Sequence, residues 1–330
     1  MLREALRKAA AGEPLTEGEA ERALEMIMEG TAPPAATAAI LTALRVRGES
    51  VSEIVGFARA MRRFAARVEA PDDVVDTCGT GGDAKGTINI STAAAFVARG
   101  ADVVIAKHGN RAATSQSGSA DVLEALGAEI GLGPEEVGRC IEEVGIGFMF
   151  ARTHHPAMRH VAPVRAELPF RTVFNLLGPL TNPAGARRQI VGVFHRDYVY
   201  PMAEALRELG AEKALVVHGA DGLDEITVTG STFAAEVSNG SVTEYELSPE
   251  QFGLLRHTPD GLLGGDAHLN ARVLRDVLSG EERGAARDVI LLNAGAAIYV
   301  SGNKTIEEGV SLAEESIASG AAAKALDNFV

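Results

Sequence analysis

Over the first seventy residues the apolar and polar positions carry helix signals, and strand signals are almost absent. Thr16-Glu-Gly-Glu19 and Ser50-Val-Ser-Glu53 each place a hydroxyl three residues before a glutamate, the pattern of a capping box at the start of a helix. Pro34 suits the first turn of another helix, and Gly48 suits its end. We therefore predict a small helical domain of three or four short helices, the clearest of them over residues 20–29, 34–48 and 51–67.

Beyond Pro71-Asp-Asp the pattern changes to short apolar strands that alternate with helices. The predicted strands cover residues 74–78, 103–107, 190–194 and 214–218, and helices are predicted over residues 121–126 and 198–209. This alternation implies a mostly parallel sheet with helices on both faces. The predicted fold class is α/β, with the small helical domain joined to a large α/β domain.

The last third of the chain adds a hairpin and then returns to helix. Asn239-Gly240, between apolar residues 233–237 and 242–247, indicates an antiparallel β-hairpin near one edge of the sheet. Helices are predicted over residues 270–278, 285–299 and, after the capping box Thr305-Ile-Glu-Glu308, up to Gly320.

Composition narrows the class of protein. Hydrophobic residues make up 46% of the 330 residues, mean hydropathy is +0.07, no apolar run reaches membrane length and the N-terminus is charged. We therefore expect a soluble, cytoplasmic protein without a signal peptide or membrane span. Cys78 and Cys140 are too few for a disulfide framework and lack metal-ligand spacing, which suits a reducing compartment. A net charge of -14 argues against general nucleic-acid binding, although a local basic pocket stays compatible with it.

A glycine-rich polar loop follows the first predicted strand. Its Gly79-Thr-Gly-Gly-Asp-Ala84 segment superficially fits a dinucleotide fingerprint, but that motif needs an acidic residue at the end of the next strand, and Asp102 comes before that strand. A P-loop is excluded because Gly-Lys-Ser/Thr does not occur. A turn that faces an anion, ahead of a helix beginning near Asn89-Ile-Ser-Thr92, favours phosphate. Taken alone, the loop is better interpreted as an ordinary turn and helix cap, and a second polar loop changes that balance.

A second polar loop follows the next strand, which ends in Lys107. Between Lys107 and Ser119 the chain offers many hydrogen-bond donors and two glycines, and only Ala112 and Ala113 are apolar. The carboxyl ends of parallel strands form the ligand-binding edge of an α/β sheet. Two anion-suited loops at this edge imply a ligand with two phosphate groups some distance apart.

Adjacent carboxylates, Asp224 and Glu225, follow the strand that ends at His218. Mg²⁺ binds carboxylates and phosphate oxygens together, so an acidic turn beside a diphosphate site is a candidate metal position. The Ser91 hydroxyl is a further candidate ligand. Acidic turns are also common without a metal.

Five motifs occur together in one order and spacing. They are Asp-Thr-Cys-Gly-Thr-Gly-Gly-Asp at 76–83, Lys-His-Gly-Asn-Arg-Ala at 107–112, Asp-Val-Leu-Glu-Ala-Leu-Gly at 121–127, Asn-Leu-Leu-Gly-Pro-Leu-Thr-Asn-Pro at 175–183 and Asp-Gly-Leu-Asp-Glu at 221–225. With this combination the chain resembles the anthranilate phosphoribosyltransferase family over nearly its whole length. The resemblance implies transfer of the phosphoribosyl group of phosphoribosyl pyrophosphate to the amine of anthranilate, in tryptophan biosynthesis, by a homodimer that associates through the helical domain. It also implies a helical domain of residues 1–68, to which residues 168–188 return, and an α/β domain of residues 69–167 and 189–330.

The same resemblance implies roles for individual residues. Phosphoribosyl pyrophosphate would bind to the two polar loops, through Gly79, Gly82, Asp83, Thr87, Asn89, Ile90, Ser91, Thr92, Lys107, His108, Gly109, Asn110, Arg111, Ala112, Ala113, Thr114, Ser115 and Ser119. Ser91, Asp224 and Glu225 would hold Mg²⁺, with two ions per monomer. Gly79, Asn110 and Arg165 would hold anthranilate, and no covalent nucleophile or general base is assigned. His108, His154 and His155 are further candidates for the acceptor path, with hydrogen-bonded structural histidines as the alternative. For Arg165 the alternative is a salt bridge between domains.

Two other functions are weighed against this one. Pyrimidine nucleoside phosphorylases share the two-domain plan, but that family has Lys-His-Ser-Thr-Gly-Gly where this chain has Lys-His-Gly-Asn-Arg-Ala. A non-catalytic paralogue that binds nucleic acid would carry a basic stripe and have lost metal or acceptor residues. This chain is acidic and keeps Asp224, Glu225 and Arg165, so the transferase is the preferred reading.

Overall fold

A computed structural model describes residues 2–112 and 116–330. The chain begins with a helical bundle made of α1 (Leu2–Ala10), α2 (Glu17–Met28), α3 (Pro34–Arg47) and α4 (Val51–Phe64). Both predicted capping boxes are confirmed, because the hydroxyls of Thr16 and Ser50 each accept a hydrogen bond from the N–H of the glutamate three residues later. Helix α4 ends before the predicted Arg67, since the N–H of Ala66 donates to His154 O (2.8 Å) instead of continuing the helix.

Seven strands in the described part of the chain form one sheet. They are β1 (Val75–Asp76), β2 (Ile105–Gly109), β3 (Ile146–Phe150), β4 (Arg188–Gly192), β5 (Lys213–Gly219), β6 (Thr232–Ser238) and β7 (Ser241–Leu247). Their order is β3-β2-β1-β4-β5-β6-β7, and the first five are parallel while β6 and β7 are antiparallel. From β1 the chain proceeds outwards to β3, and from β4 it proceeds outwards to β7. The order therefore reverses between β1 and β4.

Helices connect and cover these strands. They are α5 (Ile90–Gly100), α6 (Ser119–Leu126), α7 (Pro134–Val144), α8 (Ala151–His154), α9 (Ala162–Glu167), α10 (Phe174–Leu177), α11 (Val199–Glu208), α12 (Ala267–Ser279), α13 (Ala285–Val300), α14 (Ile306–Ala318) and α15 (Ala321–Phe329). Short 3₁₀ turns lie at Pro156–His160, Gly178–Leu180, Arg196–Tyr198, Pro249–Phe252 and Pro259–Leu262. Among residues 2–112 and 116–330, no helix is long and apolar enough to cross a membrane.

The apolar core lies on both faces of the sheet, as the alternation of strands and helices predicts. Successive residues of β5 point to opposite faces, so Leu215 packs with α5, α12 and α13, while Val216 packs with α11 and the helical bundle. Side chains of α10 join the second cluster, and α10 packs against α4. The helical bundle therefore shares a continuous apolar core with one face of the sheet.

The structure confirms the predicted hairpin and differs from the sequence-based expectation in several other elements. The predicted hairpin is confirmed, with Asn239 (φ 51°) and Gly240 (φ 74°) at its turn. Strand β1 contains only two of the five predicted residues, because the chain turns into the glycine-rich loop. Strand β3 and helix α7 were not predicted. Gly147 lies within β3, where a Cβ would be only 2.6 Å from Ile141 of α7, and a glycine weakens the strand signal in a sequence.

Candidate active site

The carboxyl ends of β1 and β4 lie side by side where the strand order reverses, the usual ligand position in such sheets. The glycine-rich loop after β1 is tied to β4 and the residues after it. The N–H of Thr80 donates to Gly192 O (2.8 Å), and the N–H of Phe194 donates to Thr80 Oγ1 (3.0 Å). Gly79 packs so closely that a Cβ would lie 3.1 Å from Gly192 O, and Gly82 has a φ of 83°. The shape of this loop therefore depends on its glycines.

The far end of the glycine-rich loop is held by the segment before α12 and by α12 itself. Thr87 forms a β-bridge with Leu263. The Asn89 Nδ2 donates to Ser117 O (3.1 Å), and its Oδ1 accepts from Asn270 Nδ2 (2.9 Å). Asn89 thus joins the two polar loops. Sequence analysis missed Asn270, because no local pattern marks a partner 181 positions away.

Helix α5 begins where this loop ends, and its first residues differ in what they can offer a ligand. Ile90 is buried in the apolar core, and its N–H donates to Ile88 O (2.9 Å). Ser91 turns its N–H and hydroxyl towards Glu225. The hydroxyl of Thr92 is fully buried and lacks a hydrogen-bond partner within the described residues. Ser91 and Thr92 are therefore better placed than Ile90 to contact a bound anion.

Lys107 brings a buried positive charge to the same place. Its side chain is almost fully buried, and Nζ donates to Thr77 O (3.0 Å), Thr77 Oγ1 (3.1 Å) and Ser91 Oγ (3.3 Å). Burial lowers the pKa of Lys107, whereas the charge of Glu225 opposes this shift. The structure thus brings together Lys107 and Ser91, which sequence analysis assigned to one site.

Three carboxylates meet beside Lys107 and Ser91. Burial and the neighbouring charge of Asp83 raise the pKa of Asp224 well above its usual range. Burial also raises the pKa of Glu225 to about 7, with a further contribution from Asp83. In the described part of the chain, the buried Oδ2 of Asp83 has no hydrogen-bond donor beside it. A cluster of half-buried carboxylates with one oxygen lacking a donor has the chemistry of a site for a hard divalent cation, so these residues fit Mg²⁺.

The acidic pair is positioned by distant parts of the fold. The Ile226 N–H donates to Asn293 Oδ1 (3.0 Å), and Asn293 Nδ2 donates back to Ile226 O (2.8 Å). Asp221 accepts hydrogen bonds from Leu223 N (3.1 Å), Thr227 Oγ1 (2.7 Å) and Thr229 Oγ1 (2.5 Å). Asp221 therefore shapes the turn, which leaves the adjacent pair as the residues suited to a metal.

Asp76, Cys78 and His108 also lie within metal-binding distance of one another. However, Asp76 accepts from the His108 N–H (3.0 Å) and from Asn182 Nδ2 (2.7 Å), so both of its oxygens are occupied. Burial raises the pKa of the Cys78 thiol, which keeps its proton. Burial also raises the pKa of Asp76 to about 6. These contacts describe a structural cluster that ties β1 to β2 and the turn at Asn182.

We predict that the protein without divalent cations becomes less stable as the pH rises from about 5.5 to about 8. Glu225 has a pKa of about 7 in the folded protein against 4.5 in the unfolded chain, so the folded state binds more protons in this range. Stability is thus lost as the pH rises through the folded pKa. Lys107 opposes this loss, whereas Asp83 adds to it. Mg²⁺ should remove most of the loss at high pH, because it neutralises the ionised carboxylates.

Calorimetric melting in EDTA and in Mg²⁺ checks this prediction. The melting temperature should fall more steeply with pH in EDTA than in Mg²⁺. Equal slopes under the two conditions would contradict the assignment of these carboxylates to a metal site. Asp224→Asn/Glu225→Gln serves as the matched variant and should flatten the slope in EDTA.

The second polar loop is organised by Asp121, a residue that the predicted site did not include. Its Oδ2 accepts from the N–H groups of Ala112 (3.0 Å) and Gly118 (2.9 Å). Arg111 donates to Asp121 (2.8 Å) and Glu124 (2.7 Å), so its charge is already paired. Asn110 is exposed. The other predicted residues are Gly109, which ends β2, Ser119, which begins α6, and Ala113, Thr114 and Ser115, which lie outside the described residues.

Buried histidines and one arginine lie on the acceptor side. The rings of His108 and His155 are 5.0 Å apart, and burial lowers their pKa values to about 3 and about 4. Burial also lowers the pKa of His154. The guanidinium of Arg165 lies over the ring of Phe174 at 5.2 Å, and no carboxylate within residues 2–112 and 116–330 pairs with it. The alternative of an interdomain salt bridge is therefore not supported.

Comparisons with known proteins place this site in a family context. Residues 71–323 match the profile described as glycosyl transferase family, a/b domain, and residues 3–65 match its helical bundle domain. The anthranilate phosphoribosyltransferase of Rubrobacter xylanophilus is 83% identical over 331 residues, covering 100% of this chain and 97% of that protein. The fold is similar to the crystal structure of the Thermus thermophilus enzyme of that name (TM-score 0.94, 50% identity, 98% of each chain covered). It is also similar to the Saccharomyces cerevisiae enzyme in complex with PRPP and Mg (TM-score 0.90, 31% identity, 100% and 96% covered).

Proposed function

The chain belongs to the anthranilate phosphoribosyltransferase family, and from this premise we propose how its residues share the work of the reaction. The enzyme transfers the phosphoribosyl group of 5-phosphoribosyl 1-pyrophosphate to the amine of anthranilate and releases pyrophosphate, in tryptophan biosynthesis. The observation that carries the proposed division of labour is the meeting of Lys107, Ser91 and three carboxylates at the point where the strand order reverses.

We propose that the donor binds across the two polar loops. The residues that the family resemblance implies are all retained, and their proposed roles differ. Lys107 and the hydroxyls of Ser91 and Thr92 would face phosphate oxygens. The support is the buried charge of Lys107, the Ser91 hydroxyl beside it, and the Thr92 hydroxyl, which has no hydrogen-bond partner among the described residues. Asn89 and Arg111 are engaged with the protein itself and would hold the two loops in shape. Ile90 is buried and its N–H donates to Ile88 O, so it would support the start of α5 without contacting the donor.

We propose that Ser91, Asp224 and Glu225 hold Mg²⁺, with two ions per monomer, and that Asp83 contributes to the same cluster. The support is the set of half-buried carboxylates that lie close enough to raise one another's pKa, together with the Asp83 Oδ2, which has no hydrogen-bond partner among the described residues. The yeast relative was described in complex with PRPP and Mg. When bound, the metal would neutralise charge on the diphosphate and on the departing pyrophosphate.

The chemistry is a displacement at the anomeric carbon of ribose. A bond forms between the anthranilate nitrogen and that carbon while the bond to the pyrophosphate oxygen breaks, and the pyrophosphate leaves with the electron pair. The amine nitrogen then gives up one proton to water or to the departing pyrophosphate. Because the amine attacks the anomeric carbon directly, no covalent nucleophile is needed. Lys107 would stabilise the charge that develops on the leaving group, and a buried ammonium acts strongly because water does not screen it. Residues of the acceptor side would orient the amine.

We propose that Arg165, Asn110 and Gly79 hold anthranilate, with His108, His154 and His155 lining its path. Arg165 is suited to a carboxylate because its guanidinium offers a planar pair of donors and has no carboxylate partner in the described structure. Burial keeps His108 and His155 neutral, so an aromatic acid could pass without meeting additional positive charge.

We predict that Arg165→Ala raises the KM for anthranilate roughly 30- to 100-fold, because a bidentate charged contact is lost. The KM for phosphoribosyl pyrophosphate should change little. Steady-state assays of anthranilate fluorescence check this result. Arg159→Ala is the matched control, since Arg159 is exposed near the same helix and its side chain donates to the neighbouring His160 (3.2 Å). An unchanged anthranilate KM in Arg165→Ala would remove this residue from the acceptor site.

We also propose the domain division, assembly and location that the resemblance implies. The helical domain of residues 1–68, with residues 168–188 returning to it, would close over the α/β domain of residues 69–167 and 189–330. The packing of α10 against α4 supports the returning segment.

Val46 of α3 is 83% exposed and offers an apolar contact for a homodimer through the helical domain. Two free thiols are compatible with a cytoplasmic enzyme. Sedimentation analysis tests the dimer, and cell fractionation tests the location.

The function itself is tested by mixing the purified protein with anthranilate and phosphoribosyl pyrophosphate. Anthranilate fluorescence should fall in Mg²⁺ and persist in EDTA. Persistent fluorescence in Mg²⁺, with a folded protein that still binds phosphoribosyl pyrophosphate, would keep the donor site and reject anthranilate as the acceptor. Failure to bind phosphoribosyl pyrophosphate would reject the donor site as well.

A further inference from the structure

The segment between α9 and α10 carries an arginine that reaches across to the glycine-rich loop. Arg171 Nη2 donates to Gly82 O, and the guanidinium lies over the ring of Phe194, 4.3 Å from its centroid. Phe194 is itself bonded to this loop, because its N–H donates to Thr80 Oγ1 (3.0 Å). One side chain therefore joins three segments of the chain at the edge of the proposed donor site.

The contact falls on the peptide that leads into the carboxylate cluster. A trans peptide is planar, so the carbonyl of Gly82 and the N–H of Asp83 point in opposite directions. A donor that holds the carbonyl therefore also sets the direction of the Asp83 N–H and the path of the chain into Asp83. Gly82 has a φ of 83°, and a Cβ there would lie 3.1 Å from Arg171 Nη2. Glycine at this position thus serves both the turn and the close approach of Arg171.

The other end of this connection lies on the acceptor side. Arg171 stands between α9, which carries Arg165 and packs against α3, and α10, which packs against α4. The Thr172 N–H donates to Asn175 Oδ1 (3.0 Å), which fixes the start of α10 beside Arg171. The two arginines lie on one segment, and one points to each proposed substrate site.

We propose that Arg171 is a positioning residue of the donor site. It holds the glycine-rich loop in the conformation that receives the diphosphate, and it does so when the segment that carries Arg165 is packed in place. The proposal rests on the donor site proposed above. A positioning role predicts a loss of affinity for the donor alone. A merely structural contact would instead affect stability without distinguishing between the two substrates.

The first test compares Arg171→Ala and Arg171→Lys with the wild type. Calorimetric titration with phosphoribosyl pyrophosphate and Mg²⁺ should show about tenfold weaker binding for Arg171→Ala, and the KM for this substrate should rise by a similar factor. The KM for anthranilate should change less than about threefold. Arg171→Lys should fall between the two, because an ammonium keeps a donor but lacks the planar stacking surface.

Arg196→Ala is the matched control, because Arg196 also stacks on a phenylalanine, Phe233, at 3.6 Å, away from the proposed site. The affinity of Arg196→Ala for phosphoribosyl pyrophosphate should equal that of the wild type. Equal donor affinity in wild type and Arg171→Ala would overturn the proposal, and so would equal KM increases for both substrates. If Arg171→Ala does not fold, Arg171→Lys and Phe194→Leu replace it in the test. Wild-type affinity for phosphoribosyl pyrophosphate in both variants would refute the positioning role. A wild type that does not bind the donor would refute the donor site itself.

Discussion

Replacing Asp224 and Glu225 together, as Asp224→Asn/Glu225→Gln, is expected to lower kcat by about a thousandfold or more. The amides keep the volume of the side chains but cannot neutralise a divalent cation. Because Arg165, the proposed partner of the anthranilate carboxylate, is unchanged, the KM for anthranilate should stay within about threefold of the wild type. Stopped assays at saturating concentrations of both substrates measure this effect. A raised anthranilate KM with an unchanged kcat would contradict the metal assignment.

The same double variant should be more stable than the wild type in the absence of Mg²⁺. Burial and like charge raise the pKa values of both carboxyls, so the folded protein carries an unfavourable electrostatic energy at neutral pH. We expect its melting temperature in EDTA to rise by roughly 3 °C or more. Asp221→Asn is the matched control from the same turn. It disturbs a carboxylate whose hydrogen bonds are satisfied, so its melting temperature should fall.

Replacing Lys107 by Met is expected to lower kcat by roughly 100- to 1,000-fold. Met is unbranched like lysine, one atom shorter, and is tolerated in buried positions, but it has no charge for the departing pyrophosphate. Among the described residues, the hydrogen bonds of Lys107 go to neutral oxygen atoms of Thr77 and Ser91, so the variant leaves few groups unsatisfied and should fold. Pre-steady-state measurement of anthranilate consumption would show a slower chemical step.

Lys213→Met provides the control for Lys107→Met. Lys213 is half-buried, in contrast to the almost fully buried Lys107, and its Nζ donates to Tyr299 O and Gly302 O, both at 2.9 Å, at the start of β5. Loss of this ammonium should lower the melting temperature while kcat stays close to that of the wild type. Similar losses of kcat in both variants would show that the effect of Lys107 is structural.

Helix starts were predictable because their determinants lie within a few residues. Thr16 and Ser50 bond to glutamates three positions later, and Asn239-Gly240 supplies the positive φ values of the hairpin turn. Strand β3 was missed because Gly147 is required by contact with Ile141, which a local pattern does not reveal. Local backbone conformation was therefore more readily predicted than the strands that depend on packing.

The residues of the candidate site were likewise predictable only in part. The order of motifs along the sequence was sufficient to indicate the family, and strand ends placed Lys107 and Asp224 at one edge of the sheet. The sequence did not reveal that Arg111 is paired with Asp121 and Glu124, or that Arg171 contacts Gly82. These pairings join residues that come together only after folding.

By itself, the sequence determined the helix caps, the alternation of strands and helices, and the set of residue types that suits a diphosphate and a metal. The tertiary structure alone decided which of these groups are occupied and which remain available to a ligand. Hydrogen bonds within a turn depend on neighbours along the chain. The partner and the pKa of a buried polar group depend instead on burial and on distant residues, as Asn89 with Asn270 and Asp83 with Asp224 illustrate.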